Sequence, residues 1–193
     1  MSDAQKTAFA FSGSLDATFD KVWQLFARGV ADRHASERHP TLATVGVDGT
    51  AQMRTVVLRA VDREASMLEF HTDLKSMKVS EIEAEPSCSM HVWNPKSKLQ
   101  MRLRATAEIL KGEAVDDIWA RVPEGSRRAY GGSPLPGTPL KQPEEFESGF
   151  ERERFAVVRL SLQSIETLCL APEQHYRAVF KREDNWSGQW LAP

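Results

Sequence analysis

The sequence predicts a mainly β protein with peripheral helices, an antiparallel sheet closed into a barrel. About eight segments rich in β-branched and aromatic residues read as strands, against three helices. Successive strands follow one another with few helical crossovers, and parallel strands need such crossovers. One segment, 98–110, alternates along its length: Leu99, Met101, Leu103 and Ala105 on one face, Lys98, Gln100, Arg102 and Arg104 on the other. An antiparallel sheet of this size hides its edges best by curling on itself.

The elements follow in order. A helix over 14–33 carries Phe19, Val22, Trp23, Phe26 and Val30 on one face, with Ser14 or Asp16 to cap it. "TLATVGV" (41–47) and "AQMRTVVLRAV" (51–61) read as two strands, with Asp48-Gly49 as the hairpin turn because both positions tolerate positive φ. "SMLEFHT" (66–72) is a strand, and Asp73 reads as the cap of a helix over 74–85 that stops at Pro86. Strands follow at 87–93 and 98–110, then a short helix at 112–122. Residues 123–149 are rich in proline and glycine and form a long loop, a kind that is commonly functional. "RFAVVRLSL", "SIETLCL" and "HYRAVFKR" supply three last strands. With no repeat and no linker, residues 1–193 read as a single domain.

Composition excludes several classes. A net charge of −2 gives no global attraction to nucleic acid or an anionic membrane, so an anion site must be local. No apolar run approaches the ~18 residues of a membrane span, and the N-terminus does not read as a signal peptide. A cytoplasmic protein is expected. Cys88 and Cys169 lack metal spacing and are expected as buried free thiols. His34, His39, His71, His91 and His175 make no ligand pattern, so no metal is expected, and no hydrolase or dinucleotide motif is present.

What remains is a set of cations and hydroxyls at strand ends. Arg54 and Arg59 bracket "TVVL", and a regular strand would point them to opposite faces. Thr72, Ser76 and Lys78 gather where a strand hands over to a helix, and a helix N-terminus suits phosphate. Ordinary capping and a solvated lysine would produce the same junction. Gln100 can donate to and accept from a planar heterocycle. His175 and Arg177 share a strand face and together can hold an anion or move a proton.

The order of these motifs is more specific than any one of them. "RTVVLR", "LEFHTDLKSMK", "EIEAEPSCSMHVW", "LQMRLRATAEIL" and "HYRAVFKREDNW…WLAP" together resemble the pyridoxamine 5′-phosphate oxidase family, FMN-binding split-barrel proteins. The resemblance covers most of 40–110 and 154–193. It implies an antiparallel split β-barrel that binds FMN. It implies that Arg54, Thr72, Ser76 and Lys78 surround the phosphate and ribityl oxygens, with His71 and Met77 in the same motif. The backbone of Thr55, Val56, Val57 and Leu58, followed by Arg59, would border the isoalloxazine, which Gln100 and Arg177 approach. It further implies a homodimer with FMN between the subunits, and a small-molecule substrate or nicotinamide reductant. His175 and Arg177 are the candidate catalytic residues. From the 123–149 loop, Tyr130 and Ser133 are candidates to cap the flavin, and Arg127 and Arg128 to hold substrate anions.

The departures bear on function. Glu173 stands where the oxidase has the first arginine of its "R-x-H-x-R" motif, Met77 where it has an arginine, Leu168 where it has a tryptophan, and Arg59 where it has a lysine. A carboxylate at 173 repels a phosphate. The expected function is therefore an FMN-dependent oxidoreductase acting on something other than pyridoxamine phosphate. A non-catalytic flavin-binding or flavin-sensing protein is the alternative, and a barrel holding a deazaflavin or haem is a third.

Overall fold

A computed structural model describes residues 10–193. Helix α1 spans Leu15–Ala31; Ser14 caps it by accepting from the Ala17 amide at 3.3 Å. Val22, Trp23 and Phe26 are buried on its inner face. It ends two residues before the expected boundary because Asp32 turns extended and takes the His34 amide on its carboxylate. Among the described residues nine strands follow: β1 Thr41–Val45, β2 Ala51–Thr55, β3 Leu58–Asp62, β4 Met67–Asp73, β5 Ser87–Asn94, β6 Leu99–Lys111, β7 Phe155–Leu170, β8 His175–Lys181 and β9 Gly188–Leu191. Helices α2 (Met77–Ala84), α3 (Asp116–Arg121) and α4 (Glu124–Arg127) lie between them.

Every strand pairing is antiparallel. The order is β2-β1-β5-β6-β7-β4-β3, with β8 on β7 and β9 on β8. The segment 51–61, expected as one strand, is two. β2 and β3 are the two ends of the sheet's path, and only Val56 and Val57 join them. The chain thus closes the barrel where the hydrogen-bond ladder does not. Val56 is buried, and its amide donates to the Pro40 carbonyl at 3.0 Å.

Two expected strands, conversely, are one. β7 runs sixteen residues and carries β4 along its first half and β8 along its second. The polar "SLQS" that reads as a break is a bulge: Ala105 pairs with Leu162 and Arg104 with Ser164, leaving Gln163 extra. β6 alternates as expected, with Leu99, Met101, Leu103 and Ala105 buried.

The main core lies inside the barrel around Phe70, Leu103, Leu160 and Phe180, and α1 closes it through Phe19, 5.0 Å from the Phe180 ring. A smaller cluster joins Val115, Val122, Tyr130, Phe155 and Val157. The expected helix 112–122 begins as a 3-10 turn, since Gly112 takes a left-handed φ of 63°, and turns α-helical only at Asp116. Both cysteines are free and buried, and burial pushes the Cys88 thiol up to about 12, which leaves it unreactive. Among the described residues, no helix is long and apolar enough to cross a membrane.

Candidate functional site

The junction between β4 and α2 gathers the expected cluster. Thr72 is the last residue but one of β4, Ser76 occupies the N-cap position of α2, and both are buried. Their hydroxyls lie 3.0 Å apart, and Lys78 Nζ donates to Thr72 Oγ1 at 3.2 Å. Ser76 Oγ donates to the Asp73 carbonyl at 2.7 Å, so its hydroxyl does not cap the helix, and among the described residues no side chain satisfies the first amides of α2. Those amides and the helix dipole favour an anion at that end.

Asp73, expected as the helix cap, belongs to β4 instead. Its carboxylate accepts the Lys75 amide at 2.7 Å and the Gly131 amide at 3.0 Å, and pairs with Arg154 at 2.7 Å. The helix starts three residues later than the sequence indicates because Asp73 is committed to the 123–149 segment.

Arg54 reaches the same place from β2. Its guanidinium pairs with Glu81 of α2 at 2.5 Å and donates to Thr44, which also donates to Glu81. Glu81 is buried, as are Val79 and Ile82 of the same helix. Burial lowers the Lys78 pKa, and the Arg54 charge lowers it further, against Asp73 and Glu81, which raise it. Two cations are thus crowded beside buried hydroxyls, with one of them made less comfortable by its surroundings. A phosphate would relieve that, so the donor set fits the phosphate end of FMN. Met77, by contrast, is exposed and offers no donor.

Arg59 lies on the other face from Arg54, as the sequence predicts: Arg54 pairs with the buried Leu42, whereas Arg59 stands with Glu69 and His71. It is the extra residue where the ladder slips between Leu58↔Phe70 and Ala60↔Glu69. The bulge sends it to a cavity of about 380 Å³ lined by Arg59, Glu69, His71, Ile118, Arg121 and Arg159. Arg159 pairs with Glu69 at 2.8 Å, while Arg59 Nε is buried with no hydrogen-bond partner among the described residues. The cavity therefore carries an excess of positive charge.

His71 stands on the edge of that cavity, its ring 4.9 Å from Phe155. Burial, then the Arg59 charge, lowers its pKa to about 4. Above its unfolded value of 6.5 the ring is neutral in both states, and its contribution to stability is complete. As pH falls through 6.5 toward about 4 the unfolded chain takes a proton that the folded one refuses, so stability is lost. The wild type is expected to lose about 2–3 kcal/mol more than His71→Gln between neutral pH and the lower end of that window. Urea unfolding at the two pH values checks this, and equal losses would contradict it.

Gln100, Leu168 and Arg177 form one row across β6, β7 and β8. Arg177 is partly exposed and pairs with Glu166 at 2.9 Å. Arg102 shares that carboxylate. Burial alone would raise the Glu166 pKa, but the two arginines outweigh it and hold it low. His175 is exposed at the start of β8. Thr72 pairs with Ala156 at the start of β7, and Gln100 with Leu168 near its end. The row stands on the face of β6 and β7 opposite to the buried Leu99, Met101 and Leu103, whereas Thr72 shares the buried face with Leu68 and Phe70. The backbone of 55–58 sits where β2 passes to β3.

The loop candidates are placed differently from expectation. Tyr130 is buried against Trp119 and Phe155 in the smaller core, so it is not available to cap a ligand. Arg127 donates to the carbonyls of Val122, Trp119 and Ala120 and lies 4.9 Å over the Trp119 ring. Ser133 and Arg128 are exposed. Sequence reasoning missed Thr44, Asp73 as a clasp, Glu81, Arg154 and Glu166. Only Glu81 left a signal, as a carboxylate between the apolar Val79 and Ile82.

An antiparallel sheet closed through Val56–Val57, split along β7 and carrying a hydroxyl and lysine cluster at one strand–helix junction, defines a split-barrel protein. Residues 20–111 match the family model described as pyridoxamine 5′-phosphate oxidase, FMN-binding domain. The pyridoxine/pyridoxamine 5′-phosphate oxidase of Thermosynechococcus vestitus is 28% identical over 79% of this chain and 62% of its own. That of Agrobacterium fabrum is 35% identical over 56% of this chain and 53% of its own. The chain thus spans between half and two thirds of the length of these relatives. Among solved structures, a pyridoxamine 5′-phosphate oxidase-related, FMN binding protein of Nostoc punctiforme has a TM-score of 0.72 at 23% identity, covering 90% of this chain and 96% of that one. PhzG of Burkholderia lata, solved with tetrahydrophenazine-1-carboxylic acid, has 0.71 at 20% identity, covering 91% of each. The solved structures establish the fold. The family match adds that residues 20–111 are similar to the FMN-binding domain of the pyridoxamine 5′-phosphate oxidases.

Proposed function

We propose that this chain binds FMN between two copies of itself and acts as an oxidoreductase on an anionic small molecule other than pyridoxamine phosphate. The observation that carries the reading is that the two groups stand on opposite faces of the sheet. Thr72 follows Leu68 and Phe70 on the buried face, whereas Gln100, Leu168 and Arg177 stand on the outward face, so one FMN is not expected to touch both in one protomer. A second copy would bring its row to the first copy's cluster, and the same contact would repeat by two-fold symmetry.

FMN, when bound, supplies hydride or electron transfer at its ring. The chain's own residues bind, orient and exclude water. Lys78 and the first amides of α2 hold the phosphate, with Arg54 kept in place by Glu81. The backbone of Thr55, Val56, Val57 and Leu58 lies along the ring. Arg177, fixed by Glu166, faces it from the partner copy. The cavity of Arg59, Arg121 and Arg159 adjoins this backbone and would hold the negative end of a substrate, a place for which exposed Glu173 is unsuited.

Glu173 and Leu168 also favour a second reading, a flavin-binding protein without turnover, because the substrate side has changed while the phosphate side has kept its lysine and hydroxyls. Anaerobic stopped-flow reduction of the FMN-loaded protein separates the two. Reduction by NADH, NADPH or an anionic donor within seconds is the expected result. A flavin that none of these reduces supports the binding role.

A further inference from the structure

The buried charges behind the phosphate cluster tie it to the long segment after α4. Asp73 directly follows Thr72, and its side chain and that of Arg154 are 8% and 9% exposed. Asp73 accepts from Lys75 N at 2.7 Å within its own turn and from Gly131 N at 3.0 Å across the structure. Arg154 pairs with Asp73 at 2.7 Å, donates to the Gly132 carbonyl at 2.8 Å, and its own carbonyl accepts from Leu74 N at 2.8 Å. The turn that carries Thr72 and Ser76 is thus gripped from behind by residues 131, 132 and 154.

The same segment then crosses the start of α2. Gly137 comes within van der Waals reach of Met77, since a Cβ placed on it would lie 3.5 Å from Met77 Sδ. The grip needs glycine at its root. Gly131 has a φ of 109°, and a Cβ there would meet the Glu151 amide nitrogen at 2.6 Å. Ser133 and Glu147 close the strap by a pair of backbone hydrogen bonds at 2.9 and 2.8 Å.

We propose that Asp73 and Arg154 are positioning residues for the phosphate turn, and that they couple the strap 131–138 to occupancy of the phosphate site. This rests on the FMN reading above. Neither side chain touches the ligand. Asp73 sets the turn that presents Thr72 and Ser76, and Arg154 neutralises Asp73 so that its charge does not oppose an incoming phosphate. An anion drawing on Thr72, Ser76 and Lys78 tightens the turn, and the turn holds Gly131 and Gly132.

The test is the affinity for FMN and for riboflavin, which lacks the phosphate, read by flavin fluorescence. Arg154→Met is expected to weaken FMN about tenfold or more while riboflavin shifts by less than about twofold. Equal losses for both ligands, or an FMN affinity equal to wild type, overturn the proposal. If Arg154→Met does not fold, amide hydrogen exchange on the wild type decides. FMN should slow exchange at Gly131 and Gly132, and riboflavin should not; equal protection by both, or none from FMN, overturns it. A wild type that binds no FMN fails before any variant is made, and removes the FMN reading together with this one.

Discussion

Arg54→Ala is expected to destabilise the fold by about 3 kcal/mol, apart from any effect on ligand binding. The reason is Glu81, which is 2% exposed and takes hydrogen bonds from Arg54 and Thr44. Removing the guanidinium leaves a buried carboxylate with one hydroxyl as its direct partner. Breaking such a pair typically costs 3–5 kcal/mol, and the lower end applies because the Arg54 side chain is 22% exposed. Replacing both charges together, as Arg54→Met with Glu81→Leu, should recover about 2 kcal/mol of that loss. Urea unfolding of Arg54→Ala and of the double variant compares the two stabilities. A double variant no more stable than Arg54→Ala would show that the pair is not what holds β2 to α2.

Lys78→Ala is expected to weaken FMN binding by about 1.5–3 kcal/mol, the worth of a charge-assisted hydrogen bond, and to leave riboflavin unchanged. It should leave stability nearly unchanged or raise it, since burial and Arg54 already penalise this ammonium in the folded state. Because its protonated form is the one that binds, FMN affinity should fall as pH rises through its lowered pKa. The same variant probes the two-copy site. Mixed with Arg177→Ala chains, it should give heterodimers with one intact site and one doubly altered site. About a quarter of all sites in an equal mixture would then bind FMN as tightly as the wild type. A mixture with no tight fraction would mean that Lys78 and Arg177 do not meet across the two-fold.

Much of this was legible in the sequence for reasons that are local. β6 alternates because one face packs into the barrel, and Asp48-Gly49 turns the first hairpin because Gly49 takes a φ of 79°. Thr72, Ser76 and Lys78 were legible because they flank a single strand–helix junction. The break at Val56–Val57 was not, since its residues favour strand and only the meeting of the sheet's two ends interrupts them. The continuity of β7 through Gln163 was hidden for the opposite reason, a bulge that looks like a turn. Asp73, Glu81 and Arg154 were illegible as a group. Asp73 and Arg154 lie 81 positions apart, and Arg54 and Glu81 27 apart, so their pairing exists only once the barrel has closed.

The central claim is that the phosphate cluster and the ring row hold FMN. The measurement that tests it most directly is the absorption spectrum of the purified protein, before and after adding FMN, with the flavin identified once released by denaturation. A yellow protein is expected, or one that turns yellow on adding FMN, releasing FMN and not riboflavin. A colourless protein whose spectrum and fluorescence ignore added FMN, or one that carries a haem or deazaflavin spectrum, would contradict it.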